Sequence, residues 1–237
     1  MIDYEIINAS VQEKEFLDKM FKYINDNYSN KLNVEKLRKV EIVNELSGGS
    51  SGRAICDKII LSRKNGLDRV NSLCQGELDI NNDVLLRDLV STIYHELWHV
   101  STWDKFEYLY EYVMDEKNED WNTVLAYLYW IEYLAHVETV FMEVPEVMRK
   151  FCKGFVYREW KNTYDEYSYF IKALPYYLIR SQYLSLYDEL TQHIIPNELR
   201  QAAYDFGCKS KFLLHDNDMD DIEKANYIKS MIVGLLA

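Results

Sequence analysis

A pair of histidines four positions apart, with a glutamate directly after the first, constrains the fold of this chain more than any other feature. His95, Glu96 and His99 have the spacing H-E-x-x-H, and they lie in a segment whose apolar residues recur with helical periodicity. At about 100° per residue, the two histidines differ by roughly 40° around the helix axis, and Glu96 lies beside them. Two imidazoles on one face can bind a single metal ion, for which zinc is the usual choice. The sequence therefore predicts one Zn²⁺ per chain, and the alternative is a surface helix that carries two histidines by coincidence.

The helix that carries this motif is predicted to begin after Asn82 or Asp83, either of which can cap it, and to end near Trp103. Its apolar side chains form a stripe almost opposite the two histidines. That stripe predicts that the helix packs on a core and turns the imidazoles toward a cleft. The stripe consists of Leu86, Val90, Ile93, Leu97 and Val100.

The segments before the motif predict a helix and a small sheet. The helix covers about residues 11–28, and a short helix or turn follows near residues 34–37. Residues 39–46 and 54–61 are rich in β-branched side chains, and the glycine- and serine-rich turn 47–52 between them predicts a small hairpin or meander. As a sheet edge beside the cleft, the second strand is a candidate for binding an extended peptide by strand addition.

The segments after the motif are predicted to be helical. A long helix covers about residues 122–144 and ends before Pro145. We expect an α+β fold that is predominantly helical, in which residues 1–145 form the core domain and residues 146–237 form a helical region packed on it. This last region predicts about four helices, separated near Gly154, Pro175, Pro196 and Gly207.

A catalytic zinc site needs a third protein ligand, and the predicted helix 122–144 offers one. Glu132 lies on the face that also carries His136, while a second face of this helix is apolar. A carboxylate in the middle of a helix that is buried on two faces is costly unless it is paired or binds a metal. For Glu132 the alternative is a structural pairing with a basic side chain. His136 is its main rival as third ligand, followed by Glu138 and Glu143.

These residues resemble the motif of the gluzincin branch of the zincin metallopeptidases. In that family one helix supplies H-E-x-x-H and a second helix supplies a glutamate ligand, as His95-Glu96-x-x-His99 and Glu132 do in this sequence. The thermolysin-like members have an aspartate four residues after that glutamate, where this chain has His136. Residues 35–145, with strands before the motif and the segment EYLAHVETVF after it, are also similar to small intracellular zincins of the ImmA/IrrE type. Those zincins resemble cytosolic peptidases that cleave regulatory proteins.

The resemblance implies a zincin-like core in which His95, His99 and Glu132 are the zinc ligands and Glu96 is the general base. Hydrolytic chemistry agrees, because zinc lowers the pKa of its bound water toward ~7 and a carboxylate beside it can take the water's proton. The family also uses a Tyr, His or Arg outside the motif to stabilise the oxyanion. The sequence selects none for that role among its 20 tyrosines, which include Tyr164, Tyr167, Tyr176 and Tyr177.

Charge and composition exclude several partners. A net charge of −12 repels phosphate backbones and anionic lipid headgroups, so neither nucleic acid nor a membrane is expected as a partner. The first residues are acidic and do not read as a signal peptide, and the apolar runs stop well short of the ~20 residues of a membrane span, so we expect a cytoplasmic protein. The cysteines form no C-x-x-C pair, which predicts reduced thiols at Cys56, Cys74, Cys152 and Cys208.

Taken together, the motif and its resemblance predict a cytoplasmic zinc metallopeptidase whose partner is a peptide or protein substrate, with its oligomeric state left open. The alternative is a catalytically silent, metal-stabilised zincin-like module that binds or regulates a partner. Retention of Glu96 favours the enzyme, because a degenerate site is expected to lose its general base first. Peptide deformylase also uses H-E-x-x-H, but the segment E-G-C-L-S of that family is absent from this chain.

Overall fold

The computed structural model describes residues 4–47, 50–70, 80, 83–115, 117–157, 164–186 and 197–236. Contacts divide the chain into two compact units, each with its own core. Unit 1 consists of Met1–Lys105 together with Phe141–Val144, and unit 2 consists of Phe106–Val140 together with Pro145–Ala237. The segment 106–140, which the sequence analysis assigns to the first region, thus belongs to the same unit as the C-terminal helices.

Unit 1 contains a mixed four-stranded sheet. Its strands are β1 (Glu5–Ile7), β2 (Lys39–Val43), β3 (Gly52–Ile55) and β4 (Lys58–Ser62), in the order β1-β2-β4-β3. The pairs β1–β2 and β2–β4 are parallel, whereas β3 pairs with β4 in antiparallel fashion. Among the described strands, β3 is therefore an edge strand that lies next to β4.

The predicted strand 54–61 is wrong, because this segment contains a chain reversal. The backbone turns at Cys56, which has a φ of 55°, and so divides the segment into β3 and β4. The hairpin is consequently β3–β4, and β2 pairs with β4 in parallel rather than with its neighbour in sequence. The β-branched residues on both sides of Cys56 and Asp57 hide the turn, since Asp57 is the one turn-favouring residue between them. The short strand β1 was not predicted.

The first helix, α1 (Val11–Tyr28), agrees with its predicted bounds. Ser10 caps it, since its hydroxyl accepts from the Glu13 amide while the Glu13 carboxylate accepts from the Ser10 amide. The helix then buries one apolar face, which consists of Phe16, Leu17, Met20, Phe21 and Ile24.

The motif helix, α2 (Val84–Thr102), is also confirmed. Of the two predicted caps, Asp83 accepts hydrogen bonds from the amides of Leu85 and Leu86, and residue 82 lies outside the described residues. The helix packs against α1, β3 and β4 of the same unit. Its predicted apolar stripe is buried at every position, namely Leu86, Val90, Ile93, Leu97 and Val100.

Unit 2 is helical in its described part. Its helices are α3 (Glu107–Met114), α4 (Trp121–Thr139), α5 (Pro145–Tyr157), α6 (Tyr164–Tyr183), α7 (Asn197–His215) and α8 (Asp221–Leu236). The central helix is α4, which packs against α3, α6 and α8. Helix α4 ends five residues earlier than predicted, because a 3₁₀ turn at Val140–Met142 completes the segment before Pro145. Helix α3 was not predicted.

The four helices predicted in the C-terminal region correspond to α5–α8. Three of the positions predicted to lie between helices are wrong, since Gly154, Pro175 and Gly207 lie inside α5, α6 and α7. The fourth, Pro196, lies outside the described residues. A glycine in a helix interior costs only about 1 kcal/mol, and burial of an apolar face outweighs that cost.

The architecture confirms an α+β fold that is mostly helical with a small mixed sheet. None of the described helices is long and apolar enough to span a membrane. Cys56, Cys152 and Cys208 form no disulfide bond in the described part of the chain, and Cys74 lies outside that part.

Candidate metal site

The two motif histidines converge on one side of α2. Their Nε2 atoms are 3.0 Å apart, and the rings are nearly perpendicular with centroids 4.7 Å apart. Two nitrogen ligands at the usual Zn–N length of a tetrahedral site lie about 3.3 Å from each other, so the spacing is close to that of a zinc-bound pair. His99 is 5% exposed, and the Trp98 indole packs edge-on against its ring. The one-face arrangement predicted from the spacing is therefore present.

Glu96 lies beside this pair and against the edge strand. Its side chain is 8% exposed, and the start of β3 passes directly over it. A Cβ atom at Gly52 would lie 2.9 Å from the Glu96 Cγ and 3.1 Å from its Oε1, which is too close for an ordinary contact. Gly52 thus permits the close approach of strand and glutamate. Of the segment 54–61, which is the candidate for peptide binding, only the part in β3 lies at an edge of the described sheet, because β4 pairs with β2 and β3 on its two sides.

The predicted third ligand lies on α4 of unit 2, next to a tyrosine of α6. The Tyr176 hydroxyl donates a hydrogen bond to Glu132 Oε2 at 3.0 Å. The Tyr176 ring also packs on the His136 ring, with centroids 4.2 Å apart. His136 is 2% exposed, whereas Glu132 is half-buried. The Tyr176 side chain thus contacts both the predicted ligand, Glu132, and its rival, His136.

Behind Tyr176 lies a basic side chain. The Arg180 guanidinium is 5.3 Å from the centroid of the Tyr176 ring and 4.4 Å from that of Phe151. On α4, burial raises the pKa of Tyr133, which follows Glu132 directly in the sequence, so the Tyr133 hydroxyl stays protonated at neutral pH. The Glu132 carboxylate therefore lies next to a tyrosine whose ring has a guanidinium behind it.

Sequence reasoning did not distinguish Tyr176 from the other tyrosines. Tyr177 is fully buried, and the side chains of Tyr164 and Tyr167 lie outside the described part of the structure. Tyr176 contacts a predicted ligand, Glu132. The sole local signal is Arg180, one turn later on the same helix, because an Arg–Tyr pair at this spacing can stack.

The remaining candidate ligands differ in burial. Glu138 is exposed, whereas Glu143, in the short segment of unit 1 that follows α4, is 8% exposed. Among the described residues of unit 2, a carboxylate oxygen of Glu132 and a ring nitrogen of His136 lie within 4.8 Å of each other. Imidazole and carboxylate donors are the ligand types that suit Zn²⁺, so the side chains of this pair, like the histidine pair of unit 1, could hold such an ion. The rival ligand His136 therefore lies beside the predicted ligand Glu132.

Comparison of the chain with protein-family models, with curated proteins and with solved structures found no match. The zincin-like core consequently stays a prediction that rests on the motif residues His95, Glu96, His99 and Glu132. Any function has to be inferred from the chemistry of these side chains and of their neighbours in each unit.

Proposed function

We propose that this protein is a zinc-dependent metallopeptidase that hydrolyses peptide bonds. His95, His99 and Glu132 hold the zinc ion, and Glu96 acts as the general base. The observation that carries the proposal is the approach of the two Nε2 atoms to 3.0 Å, beside a buried glutamate that belongs to the same helix turn. A histidine pair with this spacing binds zinc, and the adjacent glutamate is then available for proton transfer.

Zinc, when bound, polarises a carbonyl group and makes water a better nucleophile at neutral pH. Glu96 takes the proton of the attacking water and returns it to the leaving amine. Its 8% exposure keeps most solvent away from its side chain. A low-dielectric surrounding favours this proton transfer, because it strengthens the electrostatic interactions of the charged groups that take part.

The substrate is an extended peptide segment, and β3 is the element that binds it. Edge strands bind extended peptides through main-chain hydrogen bonds. The contact between Gly52 and Glu96 supports this role, since it brings the beginning of the edge strand next to the general base. A peptide aligned along β3 is thereby held close to the group that transfers its proton.

A second candidate is a metal-stabilised module without turnover. It is favoured by the presence of a fourth donor, since a ring nitrogen of His136 lies within 4.8 Å of a carboxylate oxygen of Glu132 in the same unit. If all four side chains bound the ion, the site would be closed, as in structural zinc sites, and no position would remain for a substrate.

Metal content and peptide cleavage together separate the two functions. Elemental analysis of protein purified without added metal is expected to give about one zinc per chain, with a large loss in Glu132→Ala and little loss in His136→Ala. Cleavage of a peptide library is expected for the wild type and not for Glu96→Gln, which keeps its zinc. Zinc bound at this level without any cleaved peptide, together with strong loss in His136→Ala, would instead establish the closed, non-catalytic site.

A further inference from the structure

We propose that Tyr176 is a positioning residue that makes Glu132 bind the metal through a single carboxylate oxygen. This inference rests on the proposed function, because it requires Glu132 to be a zinc ligand. Its basis is the hydrogen bond that the Tyr176 hydroxyl donates to Glu132 Oε2 at 3.0 Å. The hydrogen bond disfavours Oε2 as a metal ligand, so we assign metal binding to Oε1.

The Tyr176 ring is held by contacts with α4, with α5 and with its own helix. It packs on His136 with centroids 4.2 Å apart and an angle of 58° between the planes. The Arg180 guanidinium lies 5.3 Å from its centroid, and Phe151 of α5 lies 6.0 Å from it. Because three neighbours fix the ring, its hydroxyl points at one acceptor. The packing of unit 2 therefore maintains the hydrogen bond from Tyr176 to Glu132.

The number of oxygens that Glu132 contributes decides whether a position stays open at the metal. A carboxylate has two oxygens and can bind an ion through one or both. Two imidazoles and one oxygen leave the fourth position of a tetrahedral zinc site for water or substrate. If both oxygens bound the ion, that position would be filled or crowded. Tyr176 disfavours this, because its hydrogen bond takes one lone pair of Oε2 and makes that oxygen a weaker donor toward the metal.

Replacement by phenylalanine separates this role from simple packing. Tyr176→Phe keeps the ring that contacts His136 and Arg180 and removes only the hydroxyl. The matched control is Tyr183→Phe, which removes the same atom from an exposed tyrosine of the same helix. Arg180→Met is a second test variant, because it removes the cation beside the ring and keeps the hydroxyl.

Two measurements on the full chain test the inference, namely zinc affinity by competition with a chromophoric chelator and the visible spectrum after loading with Co²⁺. Hydrogen-bond partners of metal ligands usually contribute 10–100-fold to metal affinity, so Tyr176→Phe is expected to bind zinc at least about tenfold more weakly. Its Co²⁺ bands are expected to weaken, because five-coordinate cobalt absorbs less than tetrahedral cobalt. Arg180→Met is expected to change both readouts less and in the same direction, and Tyr183→Phe to match the wild type.

The possible failures are distinguishable. If Tyr176→Phe binds zinc as tightly as the wild type and gives the same Co²⁺ spectrum, the inference is overturned while the proposed function stands. If the wild type binds no zinc, or Glu132→Ala keeps it, both are overturned, because Glu132 is then not a ligand. Should Tyr176→Phe unfold, an unchanged zinc affinity and spectrum in Arg180→Met would equally overturn the inference.

Discussion

At the scale of single residues, the absence of a side chain at Gly52 is as important for the candidate site as the presence of Glu96. An added Cβ would lie 2.9 Å from the Glu96 Cγ, in the middle of the side chain rather than at its flexible end. Either the strand or the glutamate must move to make room. Because proton transfer depends on the position of the base to within a fraction of an ångström, the movement should affect catalysis more than metal binding.

We therefore predict that Gly52→Ala lowers kcat for peptide cleavage by about 10–100-fold while the zinc content stays at the wild-type level. Steady-state kinetics and elemental analysis on the same preparation check this outcome. Gly234→Ala in α8 is the control, because a Cβ there meets no atom within 4 Å. Full activity in Gly52→Ala would show that β3 does not determine the position of Glu96.

At the scale of elements, the start of α1 is tied to the end of β4 by an ion pair. Arg63 Nε is 2.7 Å from Glu13 Oε1, and Arg63 also donates to Asn44 Oδ1 and to the Asn8 carbonyl. Glu13 in turn accepts from the Ser10 amide as part of the helix cap. The hydrogen bond from Arg63 is the main reason why the pKa of the Glu13 carboxyl lies below its usual value.

The sign of this pKa shift gives a stability prediction. A carboxyl with a lowered pKa in the folded protein stabilises it above the unfolded pKa near ~4.3, and this contribution is lost as the pH falls through the folded pKa. Glu13→Gln is thus expected to lower the free energy of unfolding by about 1–2 kcal/mol at neutral pH and to approach the wild type in acid. Urea unfolding at both pH values checks this, with the exposed Glu15→Gln of the same helix as control. If the difference in unfolding free energy between Glu13→Gln and the wild type were the same at every pH, the lowered pKa assigned to Glu13 would be contradicted.

Elements with a strong periodic signal were predictable, and those formed by tertiary contacts were not. Helices α1 and α2 combine a capping residue with an apolar stripe, and the structure has both near the predicted bounds. The turn at Cys56 has no such signal, because β-branched residues flank it and its φ of 55° is imposed by the pairing of β3 with β4. At the site, the approach of His95 and His99 follows from their spacing. Two other contacts at the site, Tyr176 with Glu132 and Gly52 with Glu96, join residues that are far apart in the sequence. The hydrophobic periodicity within a single element therefore does not predict them.

At the scale of the whole molecule, metal binding and stability should be linked. Zinc that binds the folded chain and not the unfolded chain stabilises it by about 2.7 kcal/mol when its free concentration is one hundred times Kd. We predict that chelator-treated protein has a lower Tm, that added Zn²⁺ restores the Tm, and that Mg²⁺ does not, because the donor set contains imidazoles. Differential scanning calorimetry over a zinc titration measures this. A His95→Ala/His99→Ala double variant is the control and should show a Tm independent of zinc; a Tm that still rises would contradict the assigned ligands.

The return of the chain to unit 1 after α4 has a consequence for biosynthesis. Phe141 belongs to that unit, where its ring lies 5.9 Å from Tyr28 and 5.7 Å from Tyr94, with the Lys31 ammonium 4.1 Å from its centroid. Ribosomes add about 5–20 residues per second, so this aromatic cluster is completed only seconds after Lys105 has been added. A nascent chain that stops at Lys105 lacks the ring that fills the cluster. We therefore expect the N-terminal unit to complete its aromatic cluster only after the whole of α4 has been translated.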